Sequence, residues 1–207
     1  MESLTVIPQK LNKSSQQLAI RESKGYEADF VHHFRPEEIR AITSHLKDRD
    51  RLLVHFIFDT CLRVSEALSV RPCDIKQTES GWQISILGKG RKRSAVAVSR
   101  SMVAQLHSYA YEKRILPEDR IFKINRTRVF QIVQGAMKAA GVVKPDGVGA
   151  VHILRHSGAI ERLRLTGNPK AVQDQLRHRS AAMTLRYMKT LSHEESLAIQ
   201  GSVDHGW

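Results

Sequence analysis

The hydrophobic period of this chain changes in one place, and that change limits its fold more than any other feature. Trp82, Ile84 and Ile86 alternate with polar Gln83 and Ser85, and Val96 and Val98 resume the alternation after a break. A period of two belongs to a strand with one buried face. The break is Gly88-Lys89-Gly90-Arg91-Lys92-Arg93, a glycine-punctuated connection that makes the two runs a hairpin. Helical patterns surround it. Leu52, Leu53, Phe56, Ile57 and Thr60 form one buried stripe, and Val64 and Leu68 mark a short helix after it. Arg35-Pro36-Glu37-Glu38 opens a helix running to about Leu46, because proline fits a first turn and acidic groups suit the positive end of the helix dipole. Further helices are predicted near 100–114, 126–140, 152–166, 169–177, 180–188 and 193–200, with Asn168-Pro169 as an N-cap and first-turn proline. The expected fold class is mainly α with a small antiparallel β-hairpin (α+β). Residues 1–33 are polar and aperiodic and read as an arm or linker, which leaves one domain over 34–207.

Charge narrows the partners. The chain has 33 Lys and Arg against 21 Asp and Glu, a formal charge of +12, and 41% hydrophobic residues, enough for a packed core. The hairpin connection holds four cations in six residues, and residues 151–190 hold eight basic residues against two acidic ones. Two separate cationic patches flanking possible chemistry favour nucleic acid over a pair of merely solvated faces. No run of ten apolar residues occurs, and Met1–Lys10 lacks the plan of a secretory signal, so a soluble, cytoplasmic, nucleoid-associated protein with no membrane partner is expected. The two cysteines, Cys61 and Cys73, match neither a disulfide framework nor a paired metal-ligand spacing.

Three polar residues stand at the start of an apolar helix: His152, Arg155 and His156. With each residue turned 100° from the last, His156 falls within the arc of Ile153, Ile160 and Leu163 and reads as a core histidine. His152 lies at the edge of that stripe and Arg155 about 60° further round, so both can point into a cleft. A zinc site on His152 and His156 would need a glutamate at 153, where the chain has Ile153, and no metal is expected. Arg63 stands where a turn meets a helix, among apolar neighbours. A poorly hydrated guanidinium there needs an anion, either Glu66 one turn on or a phosphate. His178 is followed nine residues later by Tyr187.

Taken together, these pieces resemble the catalytic domain of the tyrosine recombinases, the phage integrase family. The matching stretches are Thr60-Cys61-Leu62-Arg63-Val64-Ser65-Glu66-Ala67-Leu68, then Leu87-Gly88-Lys89-Gly90-Arg91-Lys92-Arg93, then His152-Ile153-Leu154-Arg155-His156-Ser157, then Leu176-Arg177-His178 with Tyr187, in the family's order and over about residues 35–190. The resemblance implies a site-specific recombinase that cleaves and rejoins double-stranded DNA through a 3′-phosphotyrosine link, without metal, ATP or other cofactor. It implies that Arg63 and Arg155 clamp the scissile phosphate, that His152 and His178 complete the pocket, that Lys89 acts from the hairpin, and that Tyr187 is the nucleophile. Guanidinium forks suit the charge that builds on non-bridging oxygens in a five-coordinate phosphorus state. Arg91, Lys92, Arg93, Arg177 and Arg179 are the expected DNA contacts, with Lys92 the rival of Lys89 for the catalytic lysine. A tetramer on DNA and accessory DNA-bending proteins are the further expected partners. Tyr26, Tyr109 and Tyr111 lack a His and Arg box and read as packing or surface residues, and Ser65 and Ser157 lack the partners of a nucleophile.

The chain departs from the family's pattern at Cys61 and Arg177, positions usually held by glycine; a side chain resists the positive φ that glycine supplies at a turn, so strain or a shifted backbone is expected at either. Only some sixty residues precede Arg63, too few for the separate helical DNA-binding domain that family members commonly carry, and this suggests a short, inversion-type member. A DNA-binding regulator that has kept the fold, and a type IB topoisomerase with the same tyrosine chemistry, are the alternatives.

Overall fold

The computed structural model describes residues 31–87, 93–145, 147–178 and 180–201. Helices α1 (Pro36–Ser44), α2 (Asp48–Thr60) and α3 (Val64–Ala67) precede a 3-10 turn (Pro72–Asp74) and the strands β1 (Ile75–Thr78), β2 (Gly81–Leu87) and β3 (Arg93–Ala97). Helices α4 (Arg100–Glu112), α5 (Arg126–Ala139), α6 (His152–Thr166), α7 (Pro169–Leu176) and α8 (Ala182–Gly201) follow. The mainly helical fold with a small antiparallel sheet is the one expected. Residues 1–30 of the expected arm lie outside the described residues, as do Lys89, Arg91 and Lys92 of the hairpin connection and Arg179.

In the sheet, β2 lies between β1 and β3, antiparallel to both. Ile84 pairs with Val96, so the alternating apolar residues of the hairpin turn one face to the core. Strand β1 is an addition that alternation does not reveal: of its four residues only Ile75 is buried, opposite Ile84, while Lys76, Gln77 and Thr78 are exposed. The helices expected near 180–188 and 193–200 are one continuous helix, α8. No glycine or proline interrupts residues 182–200, and Thr190 turns its hydroxyl inward to donate to the Arg186 carbonyl at 2.8 Å, leaving the helix unbroken.

Side-chain caps fix where several helices begin. Ser99, Asn125 and Asn168 accept from the backbone N–H of Met102, Arg128 and Ala171 at the starts of α4, α5 and α7, each worth about 1 kcal/mol. Asn168 precedes Pro169 as the sequence predicts.

Two hydrophobic clusters form the core. The larger gathers α1, α2, the sheet, α4 and α5 around Phe56 and Phe122, whose rings lie 5.7 Å apart. The smaller joins Ile160 and Leu163 of α6, Leu176 of α7, and Tyr187 and Leu191 of α8. The chain crosses between them just after α2, where Leu62 packs in the larger and Cys61 in the smaller. Helix α6 also spans the seam, with Ile153 and Leu154 on one side and Ala159 and Ile160 on the other. Its close approach to α2 requires Gly158, since a Cβ there would stand 2.1 Å from the Phe58 carbonyl oxygen. The seam is where the chemistry-bearing residues meet.

Candidate active site

Helix α2 ends in Cys61, which adopts the left-handed conformation at φ 55° with its side chain fully buried. A side chain in that conformation costs about 1–2 kcal/mol, offset here by packing the thiol into the smaller cluster. The turn delivers Arg63 to the N-cap of α3, where its guanidinium is half exposed. Glu66 accepts from the Arg63 backbone N–H at 2.9 Å and from its Nη1 at 3.2 Å. Burial works to raise the Glu66 pKa, but the Arg63 backbone bond and the Arg177 guanidinium outweigh it and hold the carboxylate below its usual value.

Arg155 is fixed differently. It is 2% exposed, donates through Nη1 to the Cys61 carbonyl and through Nη2 to the Leu176 carbonyl at 2.9 Å, and brings Nη2 within 3.5 Å of His178 Nε2. Backbone on either side of the seam thereby orients the guanidinium. Arg63, Arg155 and His152 line one open cleft of about 730 Å³, which Arg126 and Thr127 of α5 also line. Partial burial, and then the Arg155 and Arg63 cations, lower the pKa of His152 at the lip of this cleft.

Tyr187 lies behind that layer. Its side chain is fully buried, its hydroxyl is 2.7 Å from His156 Nδ1, and its ring stacks on His178 with centroids 6.3 Å apart and planes 17° from parallel. The chain of contact therefore runs from the cleft through Arg155 and His178 to Tyr187. Burial, followed by the neighbouring His152 and Arg155, pushes the His156 pKa down to about 3. Burial and the Arg155 and Arg63 cations push that of His178 down to about 4. Burial raises the Tyr187 phenol to about 12 against the pull of Arg155. A neutral imidazole and a neutral phenol thus share the His156–Tyr187 hydrogen bond.

Five of the six expected catalytic residues can be placed. Arg63, His152 and Arg155 meet in the cleft, and His178 and Tyr187 stand directly behind it; Lys89 is outside the described residues. Among the expected DNA contacts, Arg93 is exposed at the start of β3. Arg177 is mostly buried and bound to Glu66 at 2.7 Å and Ser94 at 3.2 Å, in a left-handed conformation at φ 54°. Of the two outcomes expected at Cys61 and Arg177, strain or a shifted backbone, the structure has the first, with both residues at positive φ. Tyr109 packs on Phe122 and Tyr111 is 89% exposed, as anticipated. The Ser157 hydroxyl accepts from the Phe34 N–H at 2.7 Å and donates to the Ile153 carbonyl, a structural position. His156 is the core histidine that its helical arc predicts, but its contact with Tyr187, 31 positions away, leaves no mark in the sequence. Gln175 is a buried amide on an otherwise apolar face of α7, and a polar side chain on such a face is its one mark in the sequence.

Compared with known families, residues 32–194 match the Phage integrase family. The tyrosine recombinase XerC of Nitrobacter winogradskyi is 32% identical over 146 residues, 67% of this chain and 45% of that protein. A tyrosine recombinase of Pseudothermotoga lettingae is 29% identical over 83% of this chain and 60% of its own length. The chain thus spans about half the length of the curated relatives it matches. Among solved structures, the XerH site-specific recombinase bound to its difH substrate superposes with a TM-score of 0.65 at 23% identity, over 82% of this chain and 53% of that one. The catalytic domain of bacteriophage HP1 integrase gives 0.62 at 21% identity, over 82% of this chain and 94% of that domain. At these identities the structural likeness speaks for the fold.

Proposed function

The chain belongs to the phage integrase family, and on that premise we propose that it is a site-specific DNA recombinase in which Tyr187 attacks a phosphodiester held by Arg63 and Arg155. The observation that carries the reading is the convergence of two guanidiniums from separate parts of the chain on one cleft, with a phenol a single side chain behind it. Attack forms a bond between the Tyr187 oxygen and phosphorus and breaks the bond to the 5′-oxygen, leaving a 3′-phosphotyrosine and a 5′-hydroxyl. The reverse attack by another strand's 5′-hydroxyl reseals the backbone, so no outside energy source is needed. Arg63 and Arg155 stabilise the charge on the non-bridging oxygens. His152 accepts or shares the phenolic proton, and Lys89, on the connection between β2 and β3, protonates the departing oxygen. The hydroxyl must leave His156 to reach the cleft, so DNA binding is coupled to movement of the Tyr187 segment. Arg91, Lys92, Arg93 and Arg179 supply backbone-phosphate contacts, and strand exchange requires self-association on double-stranded DNA.

The test uses a pool of nicked suicide duplexes with a randomised core, from which cleavage releases a short strand and traps the enzyme. The natural chain should give a denaturant-resistant adduct with a free 5′-hydroxyl on the released strand, and Tyr187→Phe should give none. Equal capture by the Phe variant, or no adduct from the natural chain, refutes the reading. Recovered duplexes that rejoin to a second duplex identify a recombinase, whereas relaxation of supercoils without joining identifies a topoisomerase.

A further inference from the structure

Resting on the strand-exchange reading, we propose that Gln175 and Arg177 are positioning residues, a two-point clamp that holds the stem of the Lys89 hairpin in register with the two arginines and His178. The clamp occupies three consecutive residues at the end of α7. Gln175 is 8% exposed and uses its whole amide: Nε2 donates to the Thr60 carbonyl at 2.9 Å and the Ala97 carbonyl at 2.8 Å, and Oε1 accepts from the Ala97 N–H at 2.9 Å. It engages Ala97 as a neighbouring strand would. The Leu176 carbonyl takes the Arg155 guanidinium. Arg177 donates to Ser94 Oγ and to Glu66 Oε2, and His178 comes next in the chain. Strand β3 is therefore riveted at positions 94 and 97, while the same segment grips the backbone before Arg63 and the carboxylate that orients Arg63.

Glu66 is the shared element. Its carboxylate accepts from Arg63 N and Nη1 and from Arg177 Nη2, so a fixed Arg177 fixes the acid on which Arg63 leans. The backbone argues for the side chain's importance. At φ 54° glycine would be unstrained, whereas arginine adopts a conformation its side chain disfavours, which its contacts must offset. Both terminal nitrogens of Arg177 have protein partners, and its Nε is buried without one. Its guanidinium is thus committed to protein partners, with the side chain 16% exposed.

The test compares Arg177→Gly, which relieves the strained turn and so keeps the fold, Arg177→Lys, which can reach Glu66 with one ammonium, and Gln175→Ala. Single-turnover cleavage of a captured suicide duplex is measured at saturating protein, and affinity for the same duplex across salt concentrations. Arg177→Gly should cleave about 10–100-fold more slowly at saturation with the salt slope unchanged, and Arg177→Lys should recover part of the rate. A weaker Kd with a slope reduced by about 0.9 and an intact rate at saturation would make Arg177 a phosphate contact and overturn the proposal. Amide hydrogen exchange on the protein alone gives a second readout. Residues 94–97 should exchange at least about tenfold faster in Arg177→Gly and Gln175→Ala while α5 is unaffected, and unaltered exchange there refutes the clamp. If the natural chain forms no adduct yet exchange responds, the strand-exchange reading fails while the clamp stands.

Discussion

Lowering the pH should destabilise this protein through His156. The imidazole sits against the Tyr187 hydroxyl in the smaller core cluster, and burial together with His152, Arg155 and the other nearby charges holds its pKa at about 3. In the unfolded chain the same group titrates near its ordinary value of 6.5. The folded pKa lies below the unfolded one, so the unfolded state takes up the proton first. Stability is therefore full above pH 6.5 and falls as the pH drops below it. Between pH 7.5 and pH 5 the folded His156 stays neutral while the unfolded one protonates, over about 1.5 pH units at 1.36 kcal/mol each. The resulting loss is about 2 kcal/mol from this group alone. His178 acts in the same sense but is partly exposed, and adds less. The assay is urea unfolding at both pH values, followed by circular dichroism, for the natural chain and for His156→Asn, whose amide can still meet the phenol but does not titrate. The natural chain should lose about 2 kcal/mol more than the variant across this range. Equal losses would show that His156 is not the group held neutral and would refute the reasoning.

Other substitutions test the remaining supports of the site. Arg155→Lys cannot serve the Cys61 and Leu176 carbonyls together and loses the planar fork; single-turnover cleavage should fall by about 10²–10³, and urea unfolding should show a loss of about 1–3 kcal/mol. Gly158→Ala would press a methyl group against the Phe58 carbonyl and force α2 and α6 apart. A loss of about 1–3 kcal/mol or more is expected in the same assay, with wild-type stability counting against the close contact. Tyr187→Phe removes one buried hydrogen bond and leaves His156 Nδ1 without its partner, so beyond abolishing adduct formation it should cost about 1–3 kcal/mol. An unchanged unfolding midpoint would mean the bond contributes nothing to the fold.

What could be read in advance follows from which signals are local. The β2–β3 hairpin announces itself because each strand has one buried face, so Trp82, Ile84 and Ile86 fall on a period of two. Strand β1 has a single buried residue and no period to show. Arg63, Arg155, His178 and Tyr187 stand at recognisable spacings, but nothing in a linear pattern says which partner a buried polar group will find. The bonds from Gln175 to Ala97, Arg155 to Cys61 and His156 to Tyr187 cross 78, 94 and 31 positions. Only the packing of α6, α7 and α8 along the seam brings those pairs together. The two strained turns at Cys61 and Arg177 were foreseeable because a side chain replaces a conformationally permissive residue. That Arg177 turns inward to Glu66 was not, since a guanidinium in a basic stretch reads equally well as a DNA contact.

The two arginines expected to hold the phosphate are built for different tasks, and the difference follows from where their donors go. Arg155 spends two nitrogens on backbone carbonyls in a buried layer, so its remaining N–H groups are aimed before any ligand arrives and need no reorganisation when charge develops. Arg63 is half exposed and anchored by one nitrogen to a carboxylate, which leaves the outer face of its fork to close on an anion from solvent. Leaving both mobile would place the full ordering cost on the chemical step. The asymmetry predicts that Arg63→Lys weakens both binding and rate, whereas Arg155→Lys spares binding and takes its loss in the rate at saturation. Measured Kd and single-turnover rate constants for the two variants on one duplex separate these outcomes, and identical profiles would contradict a pre-aimed Arg155.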